Sequence, residues 1–171
     1  MKKFILLSFM CVASIFMANA QKFALIDMEY IMENIPAYQQ ANNELNQASQ
    51  QFQQEIEAKR KEAETLYKAY QKEAAKMSAT QKNQKEEAIV AKEREAAELR
   101  QKYFGPEGEL FKKRESLMAP IQDEIYNAVK AISESKGYSL ILDRASDTSI
   151  IFASPKVDIS NEVLSKLGYS N

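Results

Sequence analysis

Histidine is absent from the 171 residues and Cys11 is the one cysteine. The commonest general base, the thiol nucleophile and the usual zinc ligands are therefore missing before any motif is sought. Acid–base chemistry would fall to carboxylates. The compact polar cluster outside the helix-patterned stretches is Asp143, Arg144, Asp147 and Asp158, and such chemistry would need two carboxylates with pKa values pushed apart. Turn and cap duties account for the same four residues without chemistry. These residues point away from an enzyme and from a resident cofactor or metal. With 23 Lys and Arg against 24 Asp and Glu, there is no general attraction for nucleic acid either.

The first twenty residues read as an address. Met1, Lys2 and Lys3 make a basic start, the run from Phe4 to Met17 is apolar except for Ser8 and Ser14, and Ala18 and Ala20 place small residues two apart. This is the layout of a secretory signal over residues 1–20, cleaved before Gln21. The run is short for a membrane span of roughly 20 residues, and Met10 stands before Cys11 where a lipidation signal would place a small residue. Processing removes Lys2, Lys3 and Cys11 and leaves 21 basic against 24 acidic residues. An exported chain without cysteine is indifferent to redox state.

The elements that remain are few and long. Only 4 Gly and 4 Pro interrupt the chain, which argues against a sandwich or a barrel of many strands. Three short runs read as strands: Phe23 to Asp27, Tyr138 to Leu142 and Thr148 to Phe152. The turn-rich link from Asp143 to Asp147 makes the last two a hairpin. Asp158 to Leu167 reads as a short helix capped by Asp158 or Ser160, with Val163, Leu164 and Leu167 on one face and Gly168 as its stop.

Between the strands the period is helical. Apolar residues recur from Tyr38 to Met77 in steps of three and four, with one step skipped at Lys59, a narrow stripe on a helix of about 40 residues or roughly 60 Å. A returning stripe carries Ile89, Ala96, Tyr103, Leu110 and Leu117 and continues through Ile121, Ile125, Ala128 and Ile132. Because its phase survives Gly105, Pro106 and Gly108, it is expected to be one helix kinked near Pro106 and Pro120. Equal outgoing and returning arms put the turn near the middle, where Ser78 and Gln81 have the spacing of a capping box. The organisation expected is a body from residues 21–36 and 137–171 and a hairpin arm over 37–136 with its tip near 77–82.

This is an α+β fold, a long antiparallel helical hairpin on a small β body. About fifteen strand residues, apolar on both faces, are too few to stand alone, and their open edges invite pairing with further copies of the chain. Phe23, Leu25, Leu140 and Leu142 are the candidate oligomerisation residues. Paired rods rooted in a shared body enclose a space, and many weak contacts inside it suit an unfolded chain better than a shaped ligand. Phe52, Tyr70 and Tyr103 sit on the stripe and read as hairpin core; Tyr67, Phe104 and Phe111 are the candidate contact residues.

The order of parts, with Phe23 to Met28, Phe104 to Leu110, Tyr138 to Asp143 and Val157 to Leu164, resembles the Skp/OmpH family of periplasmic chaperones. The resemblance implies a homotrimer whose strands complete a β body, with three helical tentacles holding unfolded outer-membrane proteins without ATP in the periplasm of a Gram-negative cell. It implies no catalytic residue, no cofactor, no nucleic-acid partner and at most transient contact with membrane. Well-known members are strongly basic, whereas residues 55–115 here carry 15 Lys and Arg against 13 Asp and Glu, so no lipid-binding residues are carried over. The alternative is a structural or adaptor coiled coil of the envelope, which would use the same helices to hold folded partners apart.

Overall fold

The computed structural model describes residues 22–146 and 150–169. The expected leader lies outside the described residues, as do Asp147, Thr148 and Ser149. The described chain is mostly helical, with one small sheet, and divides into a unit formed by its two ends, up to Asn34 and from Glu124, and a unit from Ile35 to Asp123.

In the first unit β1 (Lys22–Ile26) pairs in parallel with β2 (Tyr138–Asp143), Phe23 opposite Leu140 and Leu25 opposite Leu142. Ala24, Leu25 and Ile26 are buried, as expected for a strand that is apolar on both faces. A six-residue helix that the sequence pattern did not single out, α1 (Met28–Glu33), follows at once. Asp27 starts it by accepting from the Tyr30 N–H at 2.9 Å, which satisfies an orphan donor of the first turn.

Among the described residues the expected third strand does not form. Of its five residues only Ile150, Ile151 and Phe152 are described, and they lie in no ladder. The second edge of β1 is taken by a later segment: Leu25 bridges to Asp158, and the Ile159 N–H donates to the Leu25 carbonyl at 2.9 Å. Ile151 and Phe152 are left 100% and 83% exposed.

Four further helices and two 3-10 turns complete the described chain: α2 (Pro36–Glu73), a 3-10 turn (Ala74–Lys76), α3 (Ala79–Phe104), α4 (Glu109–Lys136) and, after a second 3-10 turn (Pro155–Val157), α5 (Ser160–Leu167). Pro36 opens α2 at a position where its missing N–H costs nothing. The returning stripe is two helices, not one kinked helix. A Cβ on Gly105 would meet the Gln101 carbonyl oxygen at 2.4 Å and one on Gly108 the Tyr103 carbonyl oxygen at 2.7 Å, so both positions are built for a tight turn. Pro106 has no N–H to continue the ladder. Pro120 does lie inside a helix, α4. α5 begins at Ser160 rather than Asp158, whose carboxylate accepts from the Ser160 N–H at 2.9 Å, and Gly168 closes it at φ 87°.

At the start of α3 the Gln81 N–H donates to Ser78 Oγ at 3.3 Å and the Ser78 N–H to Gln81 Oε1 at 2.9 Å. Two of the helix's free donors are thereby satisfied reciprocally. Ser78→Ala should lower stability by about 1 kcal/mol, and Ser78→Asp by less; urea unfolding followed by circular dichroism measures both.

Candidate functional site

The polar cluster that could have carried chemistry is consumed in joining strand ends. Arg144 reaches Asp27 Oδ2 with Nη2 at 3.0 Å and Asp158 Oδ2 with Nε at 3.5 Å. The Met28 and Ala145 N–H groups both donate to Asp143 Oδ1 at 3.0 Å. Burial pushes the Asp143 carboxyl up, and these donors outweigh it, leaving it below its ordinary value. The Asp27 N–H donates to Ser160 Oγ at 2.8 Å, and that hydroxyl to Asp158 at 2.6 Å. Of the cluster's described members, Asp143, Arg144 and Asp158 each hold a neighbour, and Asp147 lies outside the described residues. Among the described residues no acidic cluster is placed to hold a metal ion, and no helix is long and apolar enough to cross a membrane.

The surface that remains unexplained lies along α2 and α3. Their facing residues follow a heptad on each side: Phe52, Ile56, Lys59, Ala63, Leu66 and Tyr70 on α2, and Ile89, Lys92, Ala96, Leu99 and Tyr103 on α3. The skipped step at Lys59 is not a gap. Lys92 takes the corresponding place across the seam, and four ion pairs close a ring: Lys59 with Glu62 and Glu95 at 3.6 and 3.2 Å, Lys92 with the same two at 3.2 and 3.0 Å. A polar layer of this kind costs stability and fixes register, because any slip would leave its charges against apolar neighbours.

Tyrosine hydroxyls fasten both sides of the layer. Tyr103 is buried, stacks on Phe52 with centroids 4.0 Å apart and planes 5° from parallel, and donates to Glu55. Tyr70, toward the turn, donates to Glu86. The hydrogen bond to the Glu55 carboxylate, then desolvation, pushes the Tyr103 phenol up to about 12.

Outside the seam, Tyr67, Phe104 and Phe111 are exposed, and Phe104 keeps an edge against Phe52 at 6.3 Å. Tyr67 and Phe104 border two adjoining hollows on one side of the hairpin, both lined by Arg60 and Arg100; Phe111 borders neither. The arginines went unnoticed in the sequence because helical charge runs are usually solvated, and only the pairing of the helices sets them side by side. In the end-built unit, Phe23 and Leu140 lie opposite each other at 55% and 53% exposure, while Leu25 is buried and Leu142 half-buried.

The family model described as outer membrane protein (OmpH-like) matches residues 22–167. Among solved structures, a Caulobacter crescentus CB15 protein described as a candidate outer membrane chaperone (OmpH-like) is similar at a TM-score of 0.70 and 16% identity, over 86% of this chain and 83% of its own. At that identity the likeness speaks for the fold. No curated protein sequence matches the chain.

The charged ring makes a pH prediction. The Lys92 hydrogen bonds hold the Glu62 and Glu95 carboxyls below their ordinary value of 4.5. Their folded pKa values are lowered, so their contribution is whole above 4.5 and is lost as pH falls from there through the folded values. The urea midpoint should drop further between pH 7 and pH 3 in the native chain than in a Lys59→Met/Lys92→Met variant. At the alkaline end the sign reverses: the Tyr103 phenol is raised, so its contribution is whole below 10 and fades toward 12. Tyr103→Phe should remove the last phenol transition from an ultraviolet titration.

Proposed function

The chain belongs to the OmpH-like outer membrane protein family, and on that premise we propose that it is an ATP-independent holdase of the periplasm. Three copies join through their β bodies, and the hairpins enclose unfolded outer-membrane proteins and keep them from aggregating. Family membership supports a chaperone role. The observation that carries the finer reading is the apolar surface left on the end-built unit. Phe23, Leu140, Ile151 and Phe152 are all more than half exposed, beside a two-stranded sheet whose β2 has a single partner among the described residues. A ladder edge and large apolar side chains left open together are what partner strands cover.

Within this reading Phe23, Leu25, Leu140 and Leu142 form or support the shared body, and Ile150 to Phe152 supply to a neighbouring copy the strand they do not make at home. Tyr67, Phe104 and Phe111 meet the client from the hairpins. Binding needs no nucleotide because no step does chemical work; many weak contacts hold a chain that has not buried its own apolar surface.

Native mass measurement of the processed protein should give three chains. One trimer per client should suppress aggregation of an outer-membrane barrel diluted from urea, without nucleotide. Ile151→Asp/Phe152→Asp should release monomers that retain helical circular dichroism and lose suppression. A folded monomer in the native protein, or undiminished aggregation beside a trimer, would sink the holdase and leave a structural coiled coil.

A further inference from the structure

The two sides of the α2–α3 hairpin differ in how their charges are settled. Lys59, Lys92, Glu62 and Glu95 satisfy one another. On the other side Arg60 and Arg100 have no carboxylate within ion-pair distance among the described residues, although Glu57 and Glu93 line the same hollows. The first hollow, about 780 Å³, is lined by Gln50, Gln53, Gln54, Arg60, Arg100 and Phe104, with Ile56 at its floor. It continues past the arginines into a second of about 460 Å³ that ends at Tyr67. Glu64, also on this lining, is already bound to Lys68.

Length and chemistry narrow the occupant. Along α2 the lining runs from Gln50 to Tyr67, about 25 Å at 1.5 Å per residue. That matches about seven or eight residues of extended chain at 3.3 Å each. Two arginines are offset by two glutamates, so the groove is not an anion receptor by net charge. It alternates donors and acceptors instead: guanidinium and amide N–H groups for carbonyl oxygens, amide and carboxylate oxygens for N–H groups. An extended main chain presents both kinds at every residue. Phe104 and Tyr67 add apolar faces at the two ends that accept any large side chain. A second copy of this chain is a poorer occupant, because the two most exposed large apolar side chains, Ile151 and Phe152, lie in the other unit.

We infer that this groove is where the hairpin takes an unfolded client, and that it binds seven or eight residues of extended polypeptide mainly through their main-chain amides, with little regard to side-chain sequence. The inference rests on the holdase reading and names the part of the arm that performs it.

The test uses the assembled processed protein. A photo-crosslinking residue at Gln53, inside the groove, should capture a urea-diluted barrel several-fold more than one at Ala58, which borders the other side of the hairpin. Arg60→Ala/Arg100→Ala should weaken a capped, uncharged fluorescent octapeptide about tenfold by anisotropy, and alternate N-methylation of that peptide should weaken it for the native protein. Equal capture from the two positions, or unchanged affinity in the arginine variant, would overturn the groove and leave the holdase standing. Loss of binding to phosphatidylglycerol vesicles with the peptide unaffected would also overturn it, making the site one for anionic lipid. A native protein that binds the octapeptide through the arginines yet fails to suppress aggregation would instead count against the holdase.

Discussion

A parallel pair of strands cannot be closed by a tight turn, so the ladder of β1 against β2 obliges the chain to leave and return over a long crossover. Everything from Met28 to Gly137 is that crossover. Most parallel pairs use a dozen residues or somewhat more; here the connection has been drawn out into a helical hairpin. With β2 on one edge of β1 and Asp158 and Ile159 on the other, both edges of β1 are filled, while Ile151 and Phe152 stay in solvent.

The hairpin meets a second constraint, that of register. Two helices with a purely apolar stripe can slide past one another by a heptad at little cost. Lys59 and Lys92, each held between Glu62 and Glu95, remove that freedom at the middle of the seam, and Tyr103 on Glu55 and Tyr70 on Glu86 remove it on either side. What looked like a defect in the stripe is a layer that selects one alignment. The alignment then decides which residues face outward together, Arg60 beside Arg100 among them.

Both surfaces proposed to act in the function are leftovers of these constraints. The exposed apolar residues of the end-built unit are what a two-stranded sheet cannot cover. The groove from Gln50 to Tyr67 is what the seam does not use. One is apolar and suits a copy of the chain; the other mixes amides, both signs of charge and two aromatic rings, and suits a polypeptide that has not folded.

Composition and period alone settled a good deal. The absence of histidine and the lone cysteine pointed away from the commonest catalytic groups. The 3.6-residue stripes marked the long helices, and Ser78, Gln81 and Gly168 marked their ends, because caps and left-handed stops depend on a few adjacent backbone groups. Strands β1 and β2 were visible for the same local reason. What the sequence could not decide needed partners distant along the chain. The third strand read well in isolation, yet Ile150 to Phe152 join no ladder among the described residues, and it is Asp158 and Ile159 that take the second edge of β1. The unbroken phase across Gly105 to Gly108 concealed a real break, since two helices can share a phase while the turn between them is too tight for a Cβ. Lys59 read as an interruption until Lys92, Glu62 and Glu95 stood around it. Local backbone preference is written in neighbouring residues; which charges meet, and which edges are already occupied, exists only once the helices and strands have paired.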